Sequence, residues 1–159
     1  MKYIFDTNVL RQLFTSYYPS VFTSLWDKLN ILLTLHSVLS VRETYNEIMS
    51  SLYPKLIILQ NWARNNPNFF EEPTEEEQWW VKKILETPHY QHMIPRKVML
   101  EGRPCADPFI IAKAKVLNGI VVTLEEIKPN AAKIPNVCAG LNIKCINLET
   151  FMMQQGWKF

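Results

Sequence analysis

Only four glycines occur in the 159 residues, and none builds the glycine-rich turn with which a dinucleotide-binding domain wraps a pyrophosphate. A Rossmann-type nucleotide site is therefore excluded. Cysteine is also scarce. Cys105, Cys138 and Cys145 make an odd number and form no C-x-x-C pair, so there is no disulfide framework and a reducing cytoplasm is the simplest location. Cys138 and Cys145 read as small buried hydrophobes, without a second ligand pair at zinc spacing. No stretch approaches the roughly 20 apolar residues of a membrane-spanning helix. An Asp at position 6 interrupts any signal-peptide core, so no membrane partner is expected. A surplus of one charge is missing too. Seventeen Lys and Arg against fifteen Asp and Glu leave a formal charge of +2, so any surface for a polyanion has to be local.

What is present is a core-forming composition, 48% hydrophobic, in a length that suits one domain over residues 1–159. The stretch Asp107–Glu125 organises the rest. Asp107 and Pro108 are suited to a helix start, and apolar residues recur at Phe109, Ile110, Ala112, Ala114, Val116 and Leu117. Asn118-Gly119 suits a left-handed helix end. Ile120–Val122 is a short β-branched run, suited to a buried strand, and it leads to Thr123 and Glu125. In an α/β sheet the ligand crevice lies at the carboxyl ends of the strands. Glu125 stands at such an end, and Asp107 starts a helix that runs antiparallel to the strand. Two acids at one sheet edge suggest a divalent-metal site.

From the N-terminus, Lys2–Phe5 reads as a strand that stops at Asp6-Thr7-Asn8, with helical spacing from Val9 to Phe14. Residues 15–19 read as a loop and Ser20 as the cap of the next helix, whose apolar face includes Phe22, Leu25, Trp26 and Leu29. His36–Val41 is a second strand candidate. Arg42–Ser50 is a helix with Glu43 and Glu47 on one face. A further helix, KLIILQNWAR, ends at Asn65–Asn68. Thr74 and Glu77 have capping-box spacing, and the acidic run after Thr74 reads as a solvated helix face. Residues 87–106 read as an irregular connection, long enough to suggest a functional loop. It carries Arg96, Lys97 and Arg103, which could hold a polyanion near the acids, and a weakly supported His89/His92 pair. Residues 129–137 read as a proline-punctuated loop with room for a helical turn, 141–146 as a strand, and Asn147 as the cap of a last helix. The order of elements implies an α/β fold with a mainly parallel central sheet of four to five strands flanked by helices.

Hard cations such as Mg²⁺ and Mn²⁺ prefer oxygen ligands, and clustered carboxylates need a cation or protons to offset their repulsion. A metal beside a phosphodiester can neutralise its charge and activate a water for in-line attack. Such chemistry needs no His or Cys nucleophile.

Four short motifs in order also resemble the PIN-domain ribonuclease superfamily with its VapC-like toxin fold. Ile4–Leu10 (IFDTNVL) resembles the opening motif and Thr44–Ile48 (TYNEI) the second-acid helix. Asp107–Ala114 resembles the third-acid helix, and Val121–Glu125 (VVTLE) the strand-end motif. Lys133–Cys138 (KIPNVC) and the terminal G-W-x-F resemble a PIN-like branch of bacterial proteins of unassigned function. The resemblance covers essentially the whole chain. It implies a Mg²⁺- or Mn²⁺-dependent ribonuclease, the toxin of a toxin–antitoxin pair. Asp6, Glu47, Asp107 and Glu125 would then be the catalytic and metal-ligating acids, with Thr123 and Asn8 in support. Glu43 competes with Glu47, since a shift of one helical turn exchanges them. RNA as substrate, a cognate antitoxin and a homodimer are the implied partners.

Three features depart from the family pattern. Glu125 replaces the more common Asp, Pro108 and an added residue follow Asp107, and segment 87–106 is long. The non-enzymatic alternative is a catalytically degenerate PIN-like module that binds RNA or a partner. A haloacid-dehalogenase-like phosphatase is excluded because Asn8 stands where its second Asp is needed. A receiver domain lacks its acceptor Asp at a middle strand.

Overall fold

The computed structural model describes residues 1–159. Five short strands form one sheet: β1 (Tyr3–Phe5), β2 (Val38–Val41), β3 (Phe70–Glu71), β4 (Ile120–Val122) and β5 (Lys144–Ile146). Their spatial order is β3-β2-β1-β4-β5, and every pairing is parallel. Nine α-helices surround them: α1 (Thr7–Ser16), α2 (Thr23–Thr34), α3 (Arg42–Ser50), α4 (Ile57–Asn65), α5 (Glu75–Glu86), α6 (Arg96–Leu100), α7 (Asp107–Leu117), α8 (Ile134–Gly140) and α9 (Leu148–Gln154). No helix is long and apolar enough to cross a membrane.

Every residue of β1, β2 and β4 is buried, as expected of parallel strands covered on both faces. The period-two alternation of β1 divides the core. Tyr3 and Phe5 join a cluster with residues of α1, α2, α4 and α9. Ile4 points the other way, into a cluster with α5, α7 and α8.

The chain builds outward from β1 through β2 to β3, then crosses back to add β4 and β5 on the other side. The strand order therefore reverses between β1 and β4, and a crevice opens where their connections diverge. Phe5 pairs with Val122 at the end of both strands, and the Asp6 amide continues the ladder to the Val122 carbonyl at 2.9 Å. Asp6 and Thr123 thus emerge side by side.

Several local expectations hold. Thr74 and Glu77 form the capping box, Asn147 caps α9 through the Thr150 amide, and Asn118 adopts the left-handed conformation at φ 47°. The glycine after it is required by space, because a Cβ on Gly119 would lie 2.5 Å from Ile4 Cδ1 and 3.1 Å from the Lys2 carbonyl.

Others are corrected. Strand β3 falls between the helix end at Asn65–Asn68 and the cap at Thr74, where no element was expected, because two residues carry no periodicity. β2 starts at Val38 rather than His36, whose φ is +49°. Thr15 and Ser16 extend α1, and α2 begins after Phe22, not at Ser20. The helical turn allowed for within 129–137 is longer than read, a helix over residues 134–140 with Pro135 in its first turn. The connection 87–106 is not irregular, since it contains a 3-10 helix at Pro88–Met93 and then α6.

Candidate metal centre

Asp6 takes the cap position of α1 but makes no capping hydrogen bond. Asp107 is the first residue of α7, while Ala106 holds the cap position, and no side-chain cap closes that helix. Both acids stand at helix starts without closing a side-chain cap, and of the helix backbone Asp6 meets only the Thr7 amide.

Asp6 is 4% exposed. Its Oδ2 accepts a 2.6 Å hydrogen bond from the Thr123 hydroxyl. That hydroxyl oxygen in turn accepts from Asn8 Nδ2 at 3.2 Å and from the Glu125 amide at 3.1 Å. With two donors on its oxygen, the Thr123 proton is directed to Asp6. Asn8 Oδ1 accepts from the Leu124 amide at 3.1 Å, which fixes the start of the β4–α8 loop. Thr123 and Asn8 therefore hold Asp6 and the loop together.

Glu47 reaches across from α3. Its Oε1 accepts from the Ala106 amide at 2.8 Å and its Oε2 from the Thr7 hydroxyl. These two contacts tie α3 to the starts of α1 and α7. Glu125 accepts the Ile134 amide on Oε2 at 2.9 Å and Lys133 Nζ on Oε1 at 3.4 Å. Its longer arm thus engages the N-terminus of α8.

Electrostatics connects the four acids. Asp6 is raised to about 7, first by burial and then by the charges of Glu125 and Glu47, against the opposing Thr123 hydrogen bond. Asp107 is raised to about 8 by burial and then by Asp6, Glu125 and Glu47, with Lys133 opposing. No hydrogen bond contributes to holding the Asp107 carboxylate. Carboxylates crowded in this way favour protons or a cation, and an oxygen-rich donor set suits Mg²⁺ or Mn²⁺. The residues present fit such an ion.

Glu43 lies elsewhere. Its ionic neighbours are Glu72, Glu77 and Lys113, so the face of α3 that meets Thr7 and Ala106 carries Glu47 alone. Lys97 and Arg103 pair with Glu101 at 3.9 and 2.6 Å. Neither of them, nor the exposed Arg96, bonds any of the four acids. Lys133 is the cation that reaches the cluster.

Sequence reasoning missed Lys133 and Thr7, and it left Cys105 without a role. Ligand atoms of Glu47, Cys105 and Asp107 all lie within 4.8 Å of one another. Cys105 stands two residues before Asp107, a placement that was visible in the sequence but carried no recognised spacing. An open groove of about 810 Å³ adjoins Glu125, lined among others by Gln12, Tyr17, Asn147, Met152 and Trp157.

A five-stranded, all-parallel sheet flanked by helices, with acids gathered at the β1–β4 reversal, is a PIN-like α/β fold. The crystal structure of FitAcB from Neisseria gonorrhoeae is similar over 91% of this chain and 96% of that one, with a TM-score of 0.53 at 15% identity. VapBC2 from Rickettsia felis, bound to a DNA fragment from their promoter, covers 92% and 98% with a TM-score of 0.49 at 11% identity. The chain belongs to the family described as domain of unknown function DUF4411, whose model matches residues 3–159. No curated protein matches it.

Proposed function

We propose that the protein is a metal-dependent ribonuclease. The observation that carries this reading is the convergence of four carboxylates at the β1–β4 reversal, with Asp6 and Asp107 pushed up to about 7 and 8. A cation offsets that repulsion more completely than Lys133 alone. Asp6, Glu47 and Asp107 would hold the ion, and Glu125 would act at one remove because the Lys133 cation is paired with it, whereas the donors that meet Glu47 are neutral. When bound, Mg²⁺ or Mn²⁺ supplies charge neutralisation at the phosphodiester and an activated water for its hydrolysis.

The chain's own residues do the positioning. Thr123 orients Asp6, Asn8 fixes the Thr123–Glu125 loop, and Thr7 with the Ala106 amide fixes Glu47. Lys133 faces the same crevice and can hold a phosphate oxygen. The groove beside Glu125 offers Tyr17 and Trp157 to a nucleic-acid strand.

Purified protein with Mn²⁺ is expected to cleave labelled total RNA, and Asp107→Asn or EDTA to abolish cleavage. Cleavage that survives Asp107→Asn would refute the assignment. A protein that binds neither Mn²⁺ nor Mg²⁺ would instead favour a non-catalytic RNA- or partner-binding module, a reading supported by the engagement of both Glu125 oxygens.

The family resemblance supports a toxin role with a cognate antitoxin protein that occludes the crevice. Leu52, Tyr53, Ile57 and Ile58 are exposed beside and along α4, an apolar surface for an antitoxin or a second copy. Expression of the chain alone is expected to arrest growth of its host, while Asp107→Asn is tolerated. Equal growth of the two strains would count against the toxin role.

A further inference from the structure

From the geometry around Asp107 we infer that Cys105 is a donor of the metal centre, which then takes a thiophilic divalent ion of the Zn²⁺, Co²⁺ or Cd²⁺ class in preference to Mg²⁺. The inference rests on the metal centre proposed above and specifies which ion it selects. Glu47, Cys105 and Asp107 offer ligand atoms that all lie within 4.8 Å of one another. An ion with bonds of roughly 2.3 Å to sulfur and 2.1 Å to oxygen draws such donors to within about 4 Å. Side-chain rotation covers that difference.

The surroundings point the same way. Glu125 is drawn off by the Ile134 amide and Lys133, which weakens the fourth acid as a direct ligand. The Asp107 carboxylate is not held by any hydrogen bond. Glu47 is held in place by Thr7 and the Ala106 amide, and that amide belongs to the residue following Cys105. The contact that aims Glu47 therefore also fixes the backbone carrying the thiol. Cys105 is half-buried, and its sulfur lies beside the Glu47 and Asp107 carboxylates. Sulfur is a poor donor for Mg²⁺ and a good one for Zn²⁺ or Cd²⁺. On binding, the S–H bond breaks, the proton leaves to solvent, and the sulfur lone pair forms the bond to the ion.

Co²⁺ and Cd²⁺ serve as probes. Titration of the wild-type chain with Co²⁺ is expected to develop a near-ultraviolet thiolate-to-metal charge-transfer band that is absent from both Cys105→Ser and Cys105→Ala. Calorimetry should show Cd²⁺ affinity falling roughly tenfold or more in these variants, with Mn²⁺ and Mg²⁺ affinity changed by less than about twofold. Thermal melts of the metal-free variants check that they fold. If wild type binds Mn²⁺ but gives no charge-transfer band, or if Cd²⁺ affinity is the same in Cys105→Ser, the thiol is not a donor and the carboxylate centre stands without it. If the wild-type chain binds none of these ions, the centre itself falls and the role of Cys105 with it.

Discussion

At the scale of residues, Asp6 and Asp107 make the fold pay for its own site. Each has an unfolded reference near 3.8 and a folded value raised to about 7 and about 8, with burial as the first cause. A raised acid binds its proton more tightly in the folded state. Its contribution to stability is therefore complete below the unfolded value and is lost as pH rises through the folded one. Between about pH 4 and pH 8 the metal-free protein should lose on the order of 5 kcal/mol, the two acids being coupled and not additive. Asp107→Asn removes one charge from the cluster. Metal-free Asp107→Asn should therefore resist urea better than wild type near pH 8.5 and about equally near pH 3.5, below the unfolded value. A variant weaker than wild type at the higher pH would show that the carboxylate makes favourable contacts outweighing the repulsion. The positions of Asp6, Asp107 and Glu125 were legible in the sequence because each follows a strand or opens a helix. Glu47 was not separable from Glu43, since the two lie one turn apart on α3. The distinction comes from Thr7 and Ala106, brought in from two other elements. Lys133 was hidden for the same reason, because only folding of the β4–α8 loop sets it against Glu125.

At the scale of elements, the aim of Asp107 depends on how α7 is seated. Lys113 on that helix is 1% exposed and bonds Glu77 of α5 at 3.0 Å and Glu71 of β3 at 2.9 Å. Glu77 is equally buried and also accepts the Thr74 amide, so one side chain caps α5 and pins α7. The acidic run of α5 reads as a solvated face, and for Glu75 and Glu76 it is one. Glu77 departs from that pattern because its partner lies 36 residues away, beyond any helical spacing. Strand β3 was illegible for a related reason. Its two residues pair with Ser40 and Val41 of β2, and tertiary pairing alone makes them a strand. Lys113→Met leaves Glu77 buried without its cation, at a cost of about 3–5 kcal/mol. Glu71, two-fifths exposed, loses little from the same change. The double variant Lys113→Met/Glu77→Leu should recover much of that loss in urea denaturation. A single variant within about 0.5 kcal/mol of wild type would show that the pair is not what seats α7.

For the whole molecule, the small net charge bears directly on how the proposed RNA substrate would be held. Seventeen basic residues are nearly balanced by fifteen acidic ones, and the crevice itself is acidic. A polyanion therefore has to be drawn in by a local surface. Two surfaces are candidates for drawing a strand toward the crevice. One presents the exposed Arg96, Lys97 and Arg103 of the segment leading into α7, where Lys97 and Arg103 already share Glu101. The other is the groove by Tyr17 and Trp157, where stacking rather than charge would hold the bases. The two differ in their response to salt. Each phosphate contact on a single strand contributes about −0.7 to the slope of log affinity against log salt. If the basic segment carries the strand, replacing Arg96, Lys97 and Arg103 by Ala should flatten that slope by up to about 2. The Glu101 pairings reduce the effect of the second and third replacements, so Arg96→Ala alone should account for the largest single step. RNA-binding isotherms for Asp107→Asn, in which cleavage is blocked, would read the slope directly. An unchanged slope in the triple variant would assign the strand to the groove, where Trp157→Ala should then weaken binding at every salt concentration alike.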